Sequence, residues 1–168
     1  IHPNMGTMLC FLTTDCAISP AMIREALLET VAVSFNRISV DGDTSTNDTC
    51  CVLANGLAGN AEIAEKGPDY EAFVEALKAL CVDLARKMAS DGEGARHLIT
   101  CTVSGAGSEE SAGTIAKSVV SSTLTKAAVF GADANWGRVL CAMGYSGEDF
   151  NPDKVSVHFA SAAGEVQV

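Results

Sequence analysis

The sequence predicts an α/β (α+β) protein with mixed or antiparallel strands and helices packed outside them. Three observations carry this. Apolar runs of strand length, such as TMLCFLTT (residues 7–14), are interleaved with stretches whose apolar residues recur at helical spacing. Hydrophobic residues make up 48% of the 168 and charged residues 19%, so a sizeable core forms; with aromatics at 5%, small and aliphatic side chains must fill it. The strict strand–helix rhythm of a doubly wound sheet is missing. The length suits one domain.

Taken in order, Thr7 to Thr14 reads as a strand buried on both faces. Ser19 is an N-cap candidate and Pro20 fits the first helical position. Ile23, Leu27, Val31 and Phe35, with Leu28 alongside, then recur at helical spacing. Asp41 to Thr49 is a polar loop. Cys51 to Leu57 fits strand or helix, because so short a run does not decide. Gly67-Pro68 mark a break, after which Asp69 is expected to cap a long helix carrying Phe73, Leu77, Leu80, Leu84 and Met88. HLITCTVSGA (residues 97–106) alternates like a strand. SEESAGTIAKSVVSS is helical, with Ser108 as its cap and Glu109 and Glu110 at the positive end of its dipole. KAAVFG (residues 126–131) reads as a short strand. A short helix follows and stops near Gly144. The last residues read as a hairpin turning at or near Ala163-Gly164.

A net charge of −10 repels phosphate backbones, so nucleic-acid binding is disfavoured. No basic tract offers a membrane-surface patch, no apolar run approaches a transmembrane length, and no signal peptide is visible. The chain begins at Ile1 without a Met, so an upstream segment is expected. The seven cysteines are an odd number and none lies in a CxxC pair, which argues against a disulfide framework and a zinc site. They read as reduced core thiols in a reducing compartment.

The lack of GxGxxG and of a Walker lysine argues against a nucleotide loop. His2, His97 and His158 lie far apart, and no Ser-His-Asp set assembles from them. Four segments remain, each with a plain structural reading. NMGTML places a turn glycine before a strand-starting Thr7. DGDTSTNDT (residues 41–49) fits a loop of Asx and Ser/Thr turns. SDGEGA fits a helix end with a glycine stop, although Glu93 between Gly92 and Gly94 is well exposed for a ligand amine. GADANWGR, with the single Trp, fits a strand-to-helix turn capped by Asp133.

Together the four are far more specific. IHPNMGTMLCFLTTD, FNRISVDGDTSTNDT, ASDGEGA and GADANWGRVLCAMGYSG, in that order, make this chain resemble the bifunctional ornithine acetyltransferase / glutamate N-acetyltransferase family of arginine biosynthesis over almost its whole length. The resemblance implies a precursor that cuts itself before Thr7, between Gly6 and Thr7. The new N-terminal Thr7 then moves acetyl from N-acetylornithine to glutamate by a ping-pong route. It implies that Thr7 is nucleophile and substrate contact, that Glu93 holds the substrate, and that residues 1–6 end an α-chain segment while 7–168 form a β-chain domain. It also implies an αββα sandwich reminiscent of N-terminal-nucleophile hydrolases with different connectivity, and αβ units paired into an α2β2 heterotetramer. The location implied is the bacterial cytoplasm, or the mitochondrial matrix or plastid in a eukaryote. No metal or cofactor is implied, though some members accept acetyl-CoA as co-substrate. Gly6 stands where the family usually has Ala. The family's oxyanion-hole Thr-Gly pair and a binding Lys lie upstream of Ile1, and its substrate-contacting tail lies after Val168.

The chemistry suits these residues. A Thr hydroxyl needs a base, and a freed α-amine on the same residue serves, with a reference pKa of about 7.7–8.0. Within an intact chain that nitrogen is an amide, so cleavage creates the catalyst. In the cut that the resemblance implies, Thr7 Oγ would attack the Gly6 carbonyl, an ester would form, and water would complete the break. Two other readings stand beside this one: an aminopeptidase or amidase on a similar scaffold, passing the acyl group to water, and an unprocessed, non-catalytic fragment.

Overall fold

The computed structural model describes residues 8–40, 42 and 44–168, and the chain divides into two compact units, the first ending at Gly94 and the second running from Ala95 to Val168. Gly6 and Thr7 lie outside the described residues, as do Asp41 and Asp43.

The first unit is built on a crossover. Strand β1 (Leu9–Thr14) leads into helix α1 (Pro20–Val33), and a 3-10 turn (Phe35–Arg37) returns the chain to strand β2 (Thr49–Ala54). β1 and β2 pair in parallel, with Leu9 opposite Thr49 and Thr14 opposite Ala54. Cys51 to Leu57 thus begins as strand. The helix starts as its sequence dictates: Ser19 Oγ accepts from the Met22 N–H and Pro20 takes the first turn. Its buried stripe is Met22, Ala26 and Thr30, one position off the expected row. Ile23, Leu27 and Val31 are half-buried at the edge of the stripe and Leu28 faces out.

Helix α2 (Pro68–Ser90) packs on the same core. Gly67 caps it without a side-chain bond, so Asp69 is a first-turn acid rather than the cap. Tyr70, Leu77, Cys81 and Ala85 are buried, Phe73, Leu84 and Met88 line the edge of the core, and Leu80 is largely exposed. Met8, Cys10 and Leu12 of the β1 arm, Ile18, Met22 and Ala26, Phe35 and these α2 residues form one core cluster.

β1 departs from expectation. Its residues alternate, Cys10 and Leu12 inward, Leu9 and Phe11 outward at 60% and 62% exposure. Only one face of the strand is buried, because α1 and α2 pack on that side alone.

The second unit holds helix α3 (Glu109–Ser121), α4 (Thr123–Phe130) and α5 (Trp136–Gly144), followed by the antiparallel hairpin of β3 (His158–Ser161) and β4 (Gly164–Gln167). Ser108 caps α3 by accepting from the Ser111 N–H. Ile115, Val119 and Ala142 are buried where α3 meets α5, and Ser118 Oγ donates to the Ala142 carbonyl at 2.5 Å. Two expected strands are absent. KAAVFG lies in α4 and its terminus: Ser122 caps that helix, and Leu, Lys and Ala are good helix formers. Residues 97–103 have no regular structure, since no other strand among the described residues pairs with them.

All seven cysteines are free thiols. Cys10 and Cys81 are core residues as read from the sequence, whereas Cys141 is exposed.

Candidate functional site

The expected nucleophile, Thr7, and its neighbour Gly6 precede the first described residue, so the site is built from Met8 onward. Met8 is 3% exposed and held at both backbone groups. Its carbonyl accepts from the Thr49 N–H at 2.8 Å, which continues the parallel ladder one step before β1. Its N–H donates to Asp48 Oδ1 at 2.9 Å. The other carboxylate oxygen, Asp48 Oδ2, accepts from the Ser45 N–H at 3.1 Å.

Most of the polar segment before β2 bonds within itself, as its residue types predict. Asn47 N–H donates to Ser45 Oγ at 3.2 Å, Asp48 N–H to the Ser45 carbonyl at 3.3 Å, and Thr49 Oγ1 to the Asn47 carbonyl at 3.0 Å. Asp48 also reaches forty positions back, to Met8. Residue type alone did not separate it from its polar neighbours; the parallel register that brings residue 48 opposite residue 8 does.

Glu93 sits in the turn that ends the first unit. α2 stops at Ser90, the Asp91 N–H caps it by donating to the Lys87 carbonyl at 3.0 Å, and Gly94 follows at φ +72°, a conformation glycine adopts without a Cβ penalty. The Glu93 carboxylate is exposed and makes no hydrogen bond or ion pair among the described residues, which leaves it available to a ligand cation.

In GADANWGR the turn joins two helices, and its cap is Asn135 rather than Asp133. Asn135 Oδ1 accepts from the Arg138 N–H at 3.1 Å, while its Nδ2 donates to Asp133 Oδ2 at 2.9 Å. Asp133 orients the capping side chain. Asn is as good a cap as Asp, and which of the two lies three residues before the first free helical N–H sets the choice. Ala132 has φ +55°, the one non-glycine residue with positive φ among those described. An open groove of about 550 Å³ in the second unit runs beside this turn, lined by His97, Asp133, Phe159 and Glu165 among others. His97 is exposed, and His158 Nδ1 lies 3.1 Å from Glu165 Oε1 across the hairpin.

The thiols under the β1–β2 sheet are chemically quiet. Cys10 and Cys50 are opposite one another in the ladder, and Cys81 of α2 is buried in the same core. Burial, and then Cys10 close by, push Cys50 up to about 12. Burial, again ahead of Cys10, pushes Cys81 up to about 11. Such thiols are poor nucleophiles at neutral pH.

A family model described as the ArgJ family matches residues 1–168. The arginine biosynthesis bifunctional protein ArgJ of Geobacillus kaustophilus is 57% identical over 157 residues, which are 94% of this chain and 38% of that protein. The protein of the same name from Caldanaerobacter subterraneus subsp. tengcongensis is 51% identical over 168 residues, all of this chain and 42% of that protein. The chain therefore spans about two-fifths of the length of these curated relatives. The crystal structure of the arginine biosynthesis bifunctional protein ArgJ from Bacillus halodurans superposes with a TM-score of 0.86 at 49% identity, covering 89% of this chain and 70% of that one.

Proposed function

The chain belongs to the ArgJ family, and on that premise we propose that it carries the nucleophilic part of an acetyltransferase of arginine biosynthesis. The precursor cuts itself between Gly6 and Thr7. The freed Thr7 amine then takes the proton from its own hydroxyl, and Oγ attacks the acetyl group of N-acetylornithine. Ornithine leaves with the proton on its amine. An acetyl ester stays on Thr7 until the amine of glutamate attacks it and restores the hydroxyl. The family match along the whole chain carries this reading, and favours it over the aminopeptidase and the inactive-fragment readings.

The α-chain segment, N-acetylornithine and glutamate are the partners of this reading. Acetyl-CoA use, an α2β2 assembly and a cytoplasmic location in a bacterium accompany it. No described helix is long and apolar enough to cross a membrane.

The test is intact mass with N-terminal sequencing on protein expressed from the complete gene. A fragment beginning at Thr7 is expected, and Thr7→Ala should remain one chain. An unbroken wild-type chain that still transfers acetyl would overturn the reading. In the cut enzyme kcat should rise with pH through an apparent pKa near 7.7–8.0, about that of a free α-amine, because only the neutral amine accepts the proton.

A further inference from the structure

Met8 is the last point at which the described chain can control the residue before it. In a parallel ladder with Met8 opposite residue 48, the Met8 N–H would donate to the carbonyl of Asn47. That carbonyl instead accepts from Thr49 Oγ1 at 3.0 Å. Asp48 Oδ1 takes its place at 2.9 Å, a charged acceptor where the ladder would supply a neutral one. The carboxylate is itself fixed at its far oxygen by the Ser45 N–H, so its orientation is set before it meets Met8. The Met8 carbonyl is tied to Thr49. Two consecutive residues, 48 and 49, thus hold both backbone groups of the residue that follows Thr7.

We propose that Asp48 is a positioning residue for the nucleophile. The peptide unit joining residues 7 and 8 is planar, so a hydrogen bond on its N–H fixes the plane through which Thr7 is attached to β1. Neither the hydroxyl nor the freed amine needs to touch Asp48 for this to matter: a displacement of about 1 Å at a reacting group can cost on the order of a hundred-fold in rate. The inference rests on Thr7 being the nucleophile.

The experiment uses the full-length precursor with Asp48→Ala, Asp48→Asn and Thr7→Ala. It follows the first-order appearance of the Thr7 fragment by intact mass, then kcat and KM for acetyl transfer by the cut enzyme. Asp48→Ala is expected to slow the cut and to lower kcat about ten-fold or more, with KM within about two-fold of wild type. Asp48→Asn is expected to recover most of kcat, because its amide oxygen still accepts from Met8, but to stay about three-fold below wild type because its NH2 cannot accept from Ser45. If the alanine variant does not fold, that partial loss of kcat at constant KM in the asparagine variant carries the test. An unchanged cut and kcat, a raised KM at constant kcat, or an asparagine variant as impaired as the alanine one would overturn the role of Asp48. A Thr7→Ala protein that is still cut and active would overturn the nucleophile assignment and the role of Asp48 with it. An inert Thr7→Ala beside an unaffected Asp48→Ala would overturn Asp48 alone.

Discussion

At Glu93 a single carboxylate stands clear of the fold, past the glycine-terminated end of α2. If it pairs with a substrate ammonium, removing its charge costs a charge-assisted hydrogen bond of roughly 2 kcal/mol, which reads as a KM raised about ten- to hundred-fold. Glu93→Gln should therefore raise KM for the amine substrate while leaving the rate of the Gly6–Thr7 cut unchanged; steady-state kinetics and intact mass on the same preparation check both. If cutting and transfer fall together, Glu93 supports the fold. Ala132 raises a different single-residue question. Its φ of +55° costs an L-residue about 1 kcal/mol that glycine does not pay. Because glycine also loses more chain entropy, Ala132→Gly should leave the melting temperature unchanged or slightly raised, whereas Ala132→Val, branched at Cβ, should lower it by several degrees in a thermal melt.

Elements with their own local signals were legible in the sequence. Ser19-Pro20 and Ser108 each begin a helix where expected, and the Ala163-Gly164 region turns the hairpin. What was not legible depends on neighbours distant in sequence. Residues 97–103 alternate like a strand but pair with no strand among the described residues, and the short apolar run KAAVFG (residues 126–131), which reads as a strand, lies in a helix capped by Ser122 and at its terminus. The site divides the same way. Thr7 and Glu93 are expectations carried by long motifs, while the bond between Asp48 and Met8 emerges only from the pairing of β1 with β2. That same pairing sets a pH dependence. Cys50 and Cys81 are pushed up to about 12 and about 11, chiefly by burial, against about 8.5 for an unfolded thiol. Between these values the unfolded chain has lost protons that the folded chain keeps, so stability falls as pH rises. The melting temperature should drop from pH 8.5 to 10.5, and Cys50→Ala should flatten that drop. Thiol labelling at neutral pH should modify exposed Cys141 well before Cys81.

For the whole molecule, the outer face of the β1–β2 sheet is the unresolved balance. Leu9, Phe11 and Leu53 stand 57–62% exposed on one side of a parallel pair. Parallel strands are almost always covered on both faces, and a two-stranded sheet alone is marginal in water. The chain spans about two-fifths of the length of its curated relatives, and further chain packed on this side would cover it. A surface substitution there would change stability by less than about 0.5 kcal/mol, whereas a charge placed in a covered apolar layer costs several times that. Phe11→Asp in the complete protein is therefore expected to lower the melting temperature by at least about 5 °C. Thr46→Asp, at an exposed position in the polar segment before β2, serves as the comparison and should cost less. Equal, small shifts for both would mean that the face is open to water in the complete protein and that β1 is held by its inner face and by its ladder to β2 alone.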